Sequence, residues 1–205
     1  MTANAFDQAY FERFYFNRRT RIAEPAYFDH LAAFTGAYLK LLDCPVARVL
    51  DMGCGAGLLH RGLRRAFRGV KIDACDVSEY VCERFGWQCV SIEEYEVKRS
   101  YDLVICHDVL QYLDDKAAGR AIDKLASLSH RALLFGVLTR EDWEHNCDQT
   151  LTDSNAHLRS TAWYRRRLGA QGRTPGRKEL PPCHRRTVRR RRLHPHVQAP
   201  RNLPP

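Results

Sequence analysis

From Val49 to Gly57 the sequence runs Val-Leu-Asp-Met-Gly-Cys-Gly-Ala-Gly, which spaces Gly53, Gly55 and Gly57 two apart behind a single acid, Asp51. Glycines in that spacing let the backbone turn sharply and approach a ligand with no Cβ in the way. A dinucleotide-binding loop wants Gly-x-Gly-x-x-Gly, and here Leu58 stands where the third glycine should be. An acid two residues before the turn would repel a pyrophosphate but suits a cationic ligand. A second acid, Asp76, closes the apolar run 70–75, the position from which acids hydrogen-bond a ribose diol in nucleotide-binding folds. The pair is more specific than either part. His107 and Asp108 follow a third apolar run, and an imidazole suits proton transfer near neutral pH. His145 and Asp148 are weaker candidates, because the residues around them carry no local signature.

Such residues need a scaffold that brings them to one edge. Apolar runs at 46–50, 70–75, 88–91, 101–106 and 131–138 read as strands. Helical-period stretches lie between them: Leu58 to about Arg68, a segment after Ser78 with Val81, Cys82 and Phe85 inward, and Ala118 to Leu128. Alternating strands and helices predict an α/β fold, a doubly wound and mostly parallel sheet with helices on both faces. Ligands in such sheets sit beyond the C-terminal strand ends, where the strand order reverses.

Two helices precede this core. The first, Ala5 to Arg18, carries Phe6, Tyr10, Phe11, Phe14 and Tyr15, a face suited equally to a lid over a site and to core packing. The second, Ala26 to Leu42, stops at Asp43-Cys44-Pro45, because proline disfavours helical geometry in the residue before it. After the fifth strand, 139–159 reads as irregular, and Ser160 caps a short helix to Leu168.

The 205 residues carry a net charge of +9, but all of that excess lies in 169–205, with ten Lys/Arg and one acid. This segment also holds seven of the nine prolines and no aromatic residue, so it reads as a disordered basic tail. Basic tails can bind nucleic acid through phosphates. Without interleaved aromatics for base stacking, that partner is not favoured. The chain divides as 1–45, an aromatic helical cap; 46–168, the core; and 169–205, the tail. The longest apolar stretch, Ala132 to Leu138, is far short of the roughly 20 residues that span a bilayer. Residues 1–7 lack a basic-then-apolar leader, so no membrane partner and a cytoplasmic location are expected. Eight cysteines contain no Cys-x-x-Cys pair and read as reduced thiols. Cys183-His184 has no second pair nearby, so no metal site is expected.

The run Val49 to Gly57 closely resembles motif I of the class I S-adenosylmethionine-dependent methyltransferases. The resemblance covers about 46–138, with Asp76-Val77-Ser78 matching the ribose-binding acid and Tyr101 to Leu110 the fourth strand and its loop. It implies a Rossmann-like methyltransferase fold with S-adenosylmethionine as cofactor. Gly53 and Gly55 would lie against the methionine part, within a loop completed by Cys54 and Gly57, and Asp51 near the ammonium. Asp76 would hold the ribose hydroxyls and Val77 would pack on adenine. Ser91 stands where the family often places an adenine-binding acid, which leaves that contact to the Ile92 backbone or to Glu93. His107 would sit beside the cofactor as candidate general base.

Methyl transfer from a sulfonium is an in-line displacement that asks mainly for positioning and a dry enclosure. The loop after the fourth strand lacks the Asn/Asp-Pro-Pro-Tyr/Phe motif of exocyclic-amine methyltransferases. Cys106 has no preceding proline and reads as a buried thiol, not a nucleophile. The expectation is therefore an enzyme that methylates a small-molecule acceptor. The alternatives are an RNA methyltransferase recruited by the tail, or a non-catalytic cofactor-binding protein with an incomplete sheet. The family's sheet usually has seven strands, and the Pro/Arg tail begins where the last two should come. A reading-frame change near residue 169 would account for that.

Overall fold

The computed structural model of the chain describes residues 5–97 and 99–171. Five strands, β1 Arg48–Met52, β2 Lys71–Asp76, β3 Gln88–Cys89, β4 Tyr101–His107 and β5 Ser129–Gly136, form one sheet in the order β3-β2-β1-β4-β5. All four neighbouring pairs are parallel. The chain steps from β1 outward to β3, then returns to the other side of β1 for β4 and β5. The order reverses between β1 and β4, the place where sheets of this kind form their ligand crevice.

The helices are α1 Gln8–Phe11, α2 Pro25–Leu41, α3 His60–Ala66, α4 Glu79–Phe85, α5 Asp115–Leu128, α6 Arg140–His145 and α7 Thr161–Gln171. Strand alternation sorts side chains onto two faces. Val49 of β1 with Leu103 and Ile105 of β4 packs against Phe28, Ala32 and Leu39 of α2 and Leu63 of α3. Leu50, Met52, Val104 and Cys106 point the other way, onto Ala121, Ile122 and Leu125 of α5 and Tyr164 of α7. Cover on both faces explains why the strands read as continuous apolar runs. Tyr101 joins the second cluster although it shares parity with Leu103, because β4 slips register against β5 between those two residues. Close packing fixes α3 on α2: a Cβ on Gly62 would lie 2.6 Å from that of Ala32, and one on Gly36 2.7 Å from that of Ala66.

Several boundaries differ from expectation. The stretch 5–18 is not one helix, since α1 passes into a π-helical turn, Glu12–Phe16, and Asn17 is extended. The Asn17 side chain accepts the Arg19 N–H at 3.0 Å, a local bond of the kind that competes with helix. β3 is only two residues long. The segment 139–159 contains α6, started by a reciprocal capping box between Thr139 and Asp142. α7 runs to Gln171, so 169–171 belong to this helix and not to a tail. The rest of the expected tail, 172–205, lies outside the described residues, as does Cys183. The seven described cysteines are free. No described helix is long and apolar enough to cross a membrane.

At the end of the sheet away from the crevice, Asp102 accepts the N–H groups of Ala47 at 2.9 Å and Arg48 at 3.0 Å and pairs with Arg131 at 3.2 Å. Burial pushes its carboxyl up, but these donors outweigh burial and hold it below the ordinary carboxylate range. Its stabilisation is therefore complete above the unfolded-state value, about pH 4, and is lost as pH falls through the lower folded-state value. Urea midpoints measured from about pH 6 down to about pH 3 should fall in the parent. In Asp102→Asn they should start lower and fall less.

Candidate functional site

The loop after β1 holds Gly53, Gly55 and Gly57 at φ of +72°, +52° and +67°. Side chains there would be strained, and two would also collide: a Cβ on Gly53 would lie 2.3 Å from Val109 Cγ2, and one on Gly57 2.9 Å from the Trp87 ring. The end of β2 braces the loop. Gly53 and Cys54 donate their N–H groups to the Cys75 carbonyl at 2.8 and 3.0 Å. Gly55 donates to Asp76 Oδ2 at 2.8 Å, and the Trp87 indole N–H donates to the Gly55 carbonyl at 3.0 Å.

Asp76 Oδ1 accepts the Ser78 N–H at 2.9 Å. Burial pushes the Asp76 carboxyl up, against the backbone donors and with a contribution from Asp51. Each carboxylate oxygen accepts more than one hydrogen bond, so capacity for ligand hydroxyls remains. Cys54 is half-buried, and burial with the Asp51 and Asp76 charges raises its thiol far above the ordinary range. Such a thiol is inert as a nucleophile. Cys106 is the buried packing thiol its sequence context suggested, raised by burial and by Asp51 and Asp108.

Asp51 is buried at the end of β1 and is not left to a ligand alone. His60 Nε2, on α3, donates to Asp51 Oδ2 at 3.0 Å, and the two side chains are 5 % and 4 % exposed. The His60 ring stands edge-on to Trp87, with centroids 5.1 Å apart. Sequence reading missed His60. Its signal was faint: one polar residue on the inward face of a short helix, three positions past the last glycine.

Val77 is half-buried next to Asp76. The Ile92 side chain is committed to the core beneath the sheet, Ser91 Oγ donates to Glu94 at 2.7 Å, and Glu93 turns to Arg120 at 3.0 Å.

Across the crevice, His107 ends β4 and Asp108 follows at φ +58°, a left-handed conformation that costs a non-glycine residue energy and that clusters at functional sites. His107 Nδ1 lies 2.9 Å from Asp108 Oδ2, and Nε2 lies 3.4 Å from the Tyr27 hydroxyl of α2. With Nδ1–H donated to the carboxylate, Nε2 is the accepting nitrogen, the tautomer a base requires. Tyr27 is a second residue that sequence reading treated only as helix. His145 is exposed on α6 and Asp148 is engaged by Thr150.

The segment 6–16 lies over this edge. The Phe11 ring comes within 3.5 Å of the Gly55 Cβ position, the Ser78 hydroxyl donates to the Phe6 carbonyl, and the Tyr10 and Tyr112 hydroxyls are hydrogen-bonded at 3.0 Å. Phe11 and Phe14 are buried, yet neither joins the cluster on either sheet face. Burial, Tyr10 and the carboxylates of Asp108 and Asp76 push the Tyr15 phenol well above its usual range, so this side chain feels both acids flanking the crevice. Glycines at positive φ and the buried carboxylates at the ends of β1 and β2 thus share one edge of the sheet.

A family model described as a methyltransferase domain matches residues 50–130, the stretch holding the loop, Asp76 and His107. This stretch is similar to a methyltransferase domain. The chain is 33 % identical over 99 residues to the malonyl-(acyl-carrier protein) O-methyltransferase of Anoxybacillus flavithermus, covering 44 % of this chain and 38 % of that protein. It is 27 % identical over 122 residues to the ubiquinone biosynthesis O-methyltransferase of Rickettsia typhi, covering 48 % and 49 %. The chain thus spans less than half the length of these relatives. The crystal structure of magnesium protoporphyrin IX methyltransferase from Synechocystis PCC 6803 with bound SAH matches at a TM-score of 0.57 and 23 % identity, over 83 % of this chain and 87 % of that one. That likeness is one of fold.

Proposed function

We propose that the methyltransferase domain binds S-adenosylmethionine in the crevice and transfers a methyl group to an oxygen of a small-molecule acceptor. One observation carries this reading: a positive-φ glycine loop braced by Asp76 faces, across the switch point of the sheet, a His107–Asp108 pair poised as a base. When bound, the cofactor supplies a methyl group on a sulfonium. Asp51 would face the ammonium, Asp76 would accept from the ribose hydroxyls through its remaining lone pairs, and Val77 would flank the adenine. Residues 6–16 act as a lid that keeps the reacting atoms dry. His107 Nε2 takes the proton from an acceptor hydroxyl, and Asp108 stabilises the imidazolium that results. Oxygen as the acceptor atom is supported by relatives named as O-methyltransferases.

Labelled methyl transfer to panels of phenolic and carboxylic small molecules tests the reading. Transfer to at least one panel supports it; no transfer, together with no binding of S-adenosylhomocysteine, overturns it. His107→Ala should cost about 100- to 10,000-fold in kcat with a phenol, which must lose a proton. It should cost far less with an acid that arrives ionised. Equal losses on both panels would remove the base role.

A further inference from the structure

Two cysteines hold the backbone of the Asp76-Val77-Ser78 turn and have no part in the mechanism above. Cys82 is buried on α4, and Cys89 is exposed on β3. Gly86, at φ +74°, ends α4, and the Cys82 carbonyl accepts the N–H groups of Gly86 at 2.9 Å and Trp87 at 3.1 Å. A left-handed glycine in that place turns the chain back on the helix it has just left. β3 therefore returns beside β2, with Cys89 in register with Asp76.

Each sulfur is tied to the turn. Cys82 Sγ donates to the Asp76 carbonyl at 3.5 Å, and that same oxygen accepts the N–H of Val90, the residue after Cys89, at 2.9 Å. Cys89 Sγ donates to the next carbonyl, that of Val77, at 3.8 Å. The two thiols are also side-chain hydrogen-bond partners of one another. Burial, and then Cys89 itself, pushes the Cys82 thiol up to about 12 and keeps it protonated. A reagent in solution therefore meets the exposed Cys89 first.

We infer that Cys82 and Cys89 are a reversible dithiol–disulfide pair, and that the disulfide form binds the cofactor more weakly. The oxidant is a low-molecular-weight disulfide of the glutathione kind. The Cys89 sulfur attacks one of its sulfurs, the old S–S bond breaks, and one glutathione leaves. The Cys82 sulfur then attacks the Cys89 sulfur, breaks that mixed bond and releases the second glutathione. Two cysteine thiols are oxidised, one disulfide is reduced, and the two thiol protons leave with the two glutathiones. Both carbonyls of the turn lose their S–H donors, and the new bond draws α4 toward β3 across it. This inference rests on the cofactor reading above, in which Asp76 meets the ribose and Val77 the adenine, and adds redox control to it.

The test takes the whole chain, reduced and then treated with oxidised glutathione, through peptide mass mapping and calorimetric titration of S-adenosylhomocysteine. Mapping should find Cys82 linked to Cys89 in the treated parent, and a reductant should remove the link. The treated parent should bind about tenfold more weakly than the reduced parent, with affinity restored by the reductant. Cys89→Ser should bind equally before and after treatment. Cys82→Ala, the second variant, should keep glutathione on Cys89 with no internal link. No link between the two residues in the parent, a link from either to Cys54 or Cys75 instead, or a linked parent that binds like the reduced one overturns the inference and leaves the cofactor reading intact. No binding by the reduced, folded parent overturns the cofactor reading itself, and this inference with it.

Discussion

Asp76→Ala is expected to weaken S-adenosylhomocysteine binding about 100-fold or more, from two causes that act together. In the proposed function the carboxylate would accept from a ribose diol, and hydrogen bonds to a charged group are worth about 1.5–3 kcal/mol each. The same carboxylate also holds the ligand-free loop, through Gly55 N–H at 2.8 Å and Ser78 N–H at 2.9 Å. Alanine orphans both donors and frees a glycine-rich turn whose shape the ligand needs. Asp76→Asn separates the two causes, since one amide oxygen can still brace Gly55 while a single acceptor faces the diol. Its loss should be intermediate, about tenfold, which is about 1.4 kcal/mol. Titration calorimetry of parent and both variants reads this directly. An Asp76→Ala affinity within about threefold of the parent would mean that the diol is held elsewhere.

Arg159→Ala should destabilise the fold by about 2–5 kcal/mol, because it leaves buried carbonyls without their donor at about 1–3 kcal/mol each. The side chain is buried, and its guanidinium donates to the carbonyls of Leu110 at 3.0 Å and of Leu113, to the Tyr164 hydroxyl at 3.1 Å and to Asp115 at 2.6 Å. The plane of the group also lies over Trp163, with Cζ 5.1 Å from the ring centroid. Asp115 is 73 % exposed, so the pair itself is worth little. The cost comes from the carbonyls after β4 that lose their donor without gaining water. Lysine keeps the charge but cannot fork to four acceptors, so Arg159→Lys should recover only part of the loss. Urea unfolding at neutral pH distinguishes the three proteins, and a loss below about 1 kcal/mol for alanine would show that water replaces the lost donors. The effect should extend to function, because the clamped turn carries Tyr112, which meets Tyr10 of the overlying aromatic segment.

The fold class was legible because a parallel sheet covered on both faces writes itself as apolar runs separated by helical-period segments, and 46–138 does so. The glycine loop and Asp76 were legible for a related reason: backbone conformations that favour glycine, and an acid at a strand end, are local properties. Thr139 with Asp142 was an equally local signal, a capping box closed by aspartate, and it passed as irregular chain.

What stayed hidden was pairing across the fold. His60 belongs to the site because α3 folds back to set its imidazole against Asp51 at the end of β1. Tyr27 meets His107, 80 positions away, only because α2 crosses the β4 side of the sheet. The Ile92 side chain goes to the core, which no local pattern around the short strand β3 announced. Local sequence determined which backbones could bend around a ligand and which strand ends carried acids. Only the tertiary structure decided which of those acids already has a partner, because burial and hydrogen bonding are set by residues that are neighbours in space and not in sequence.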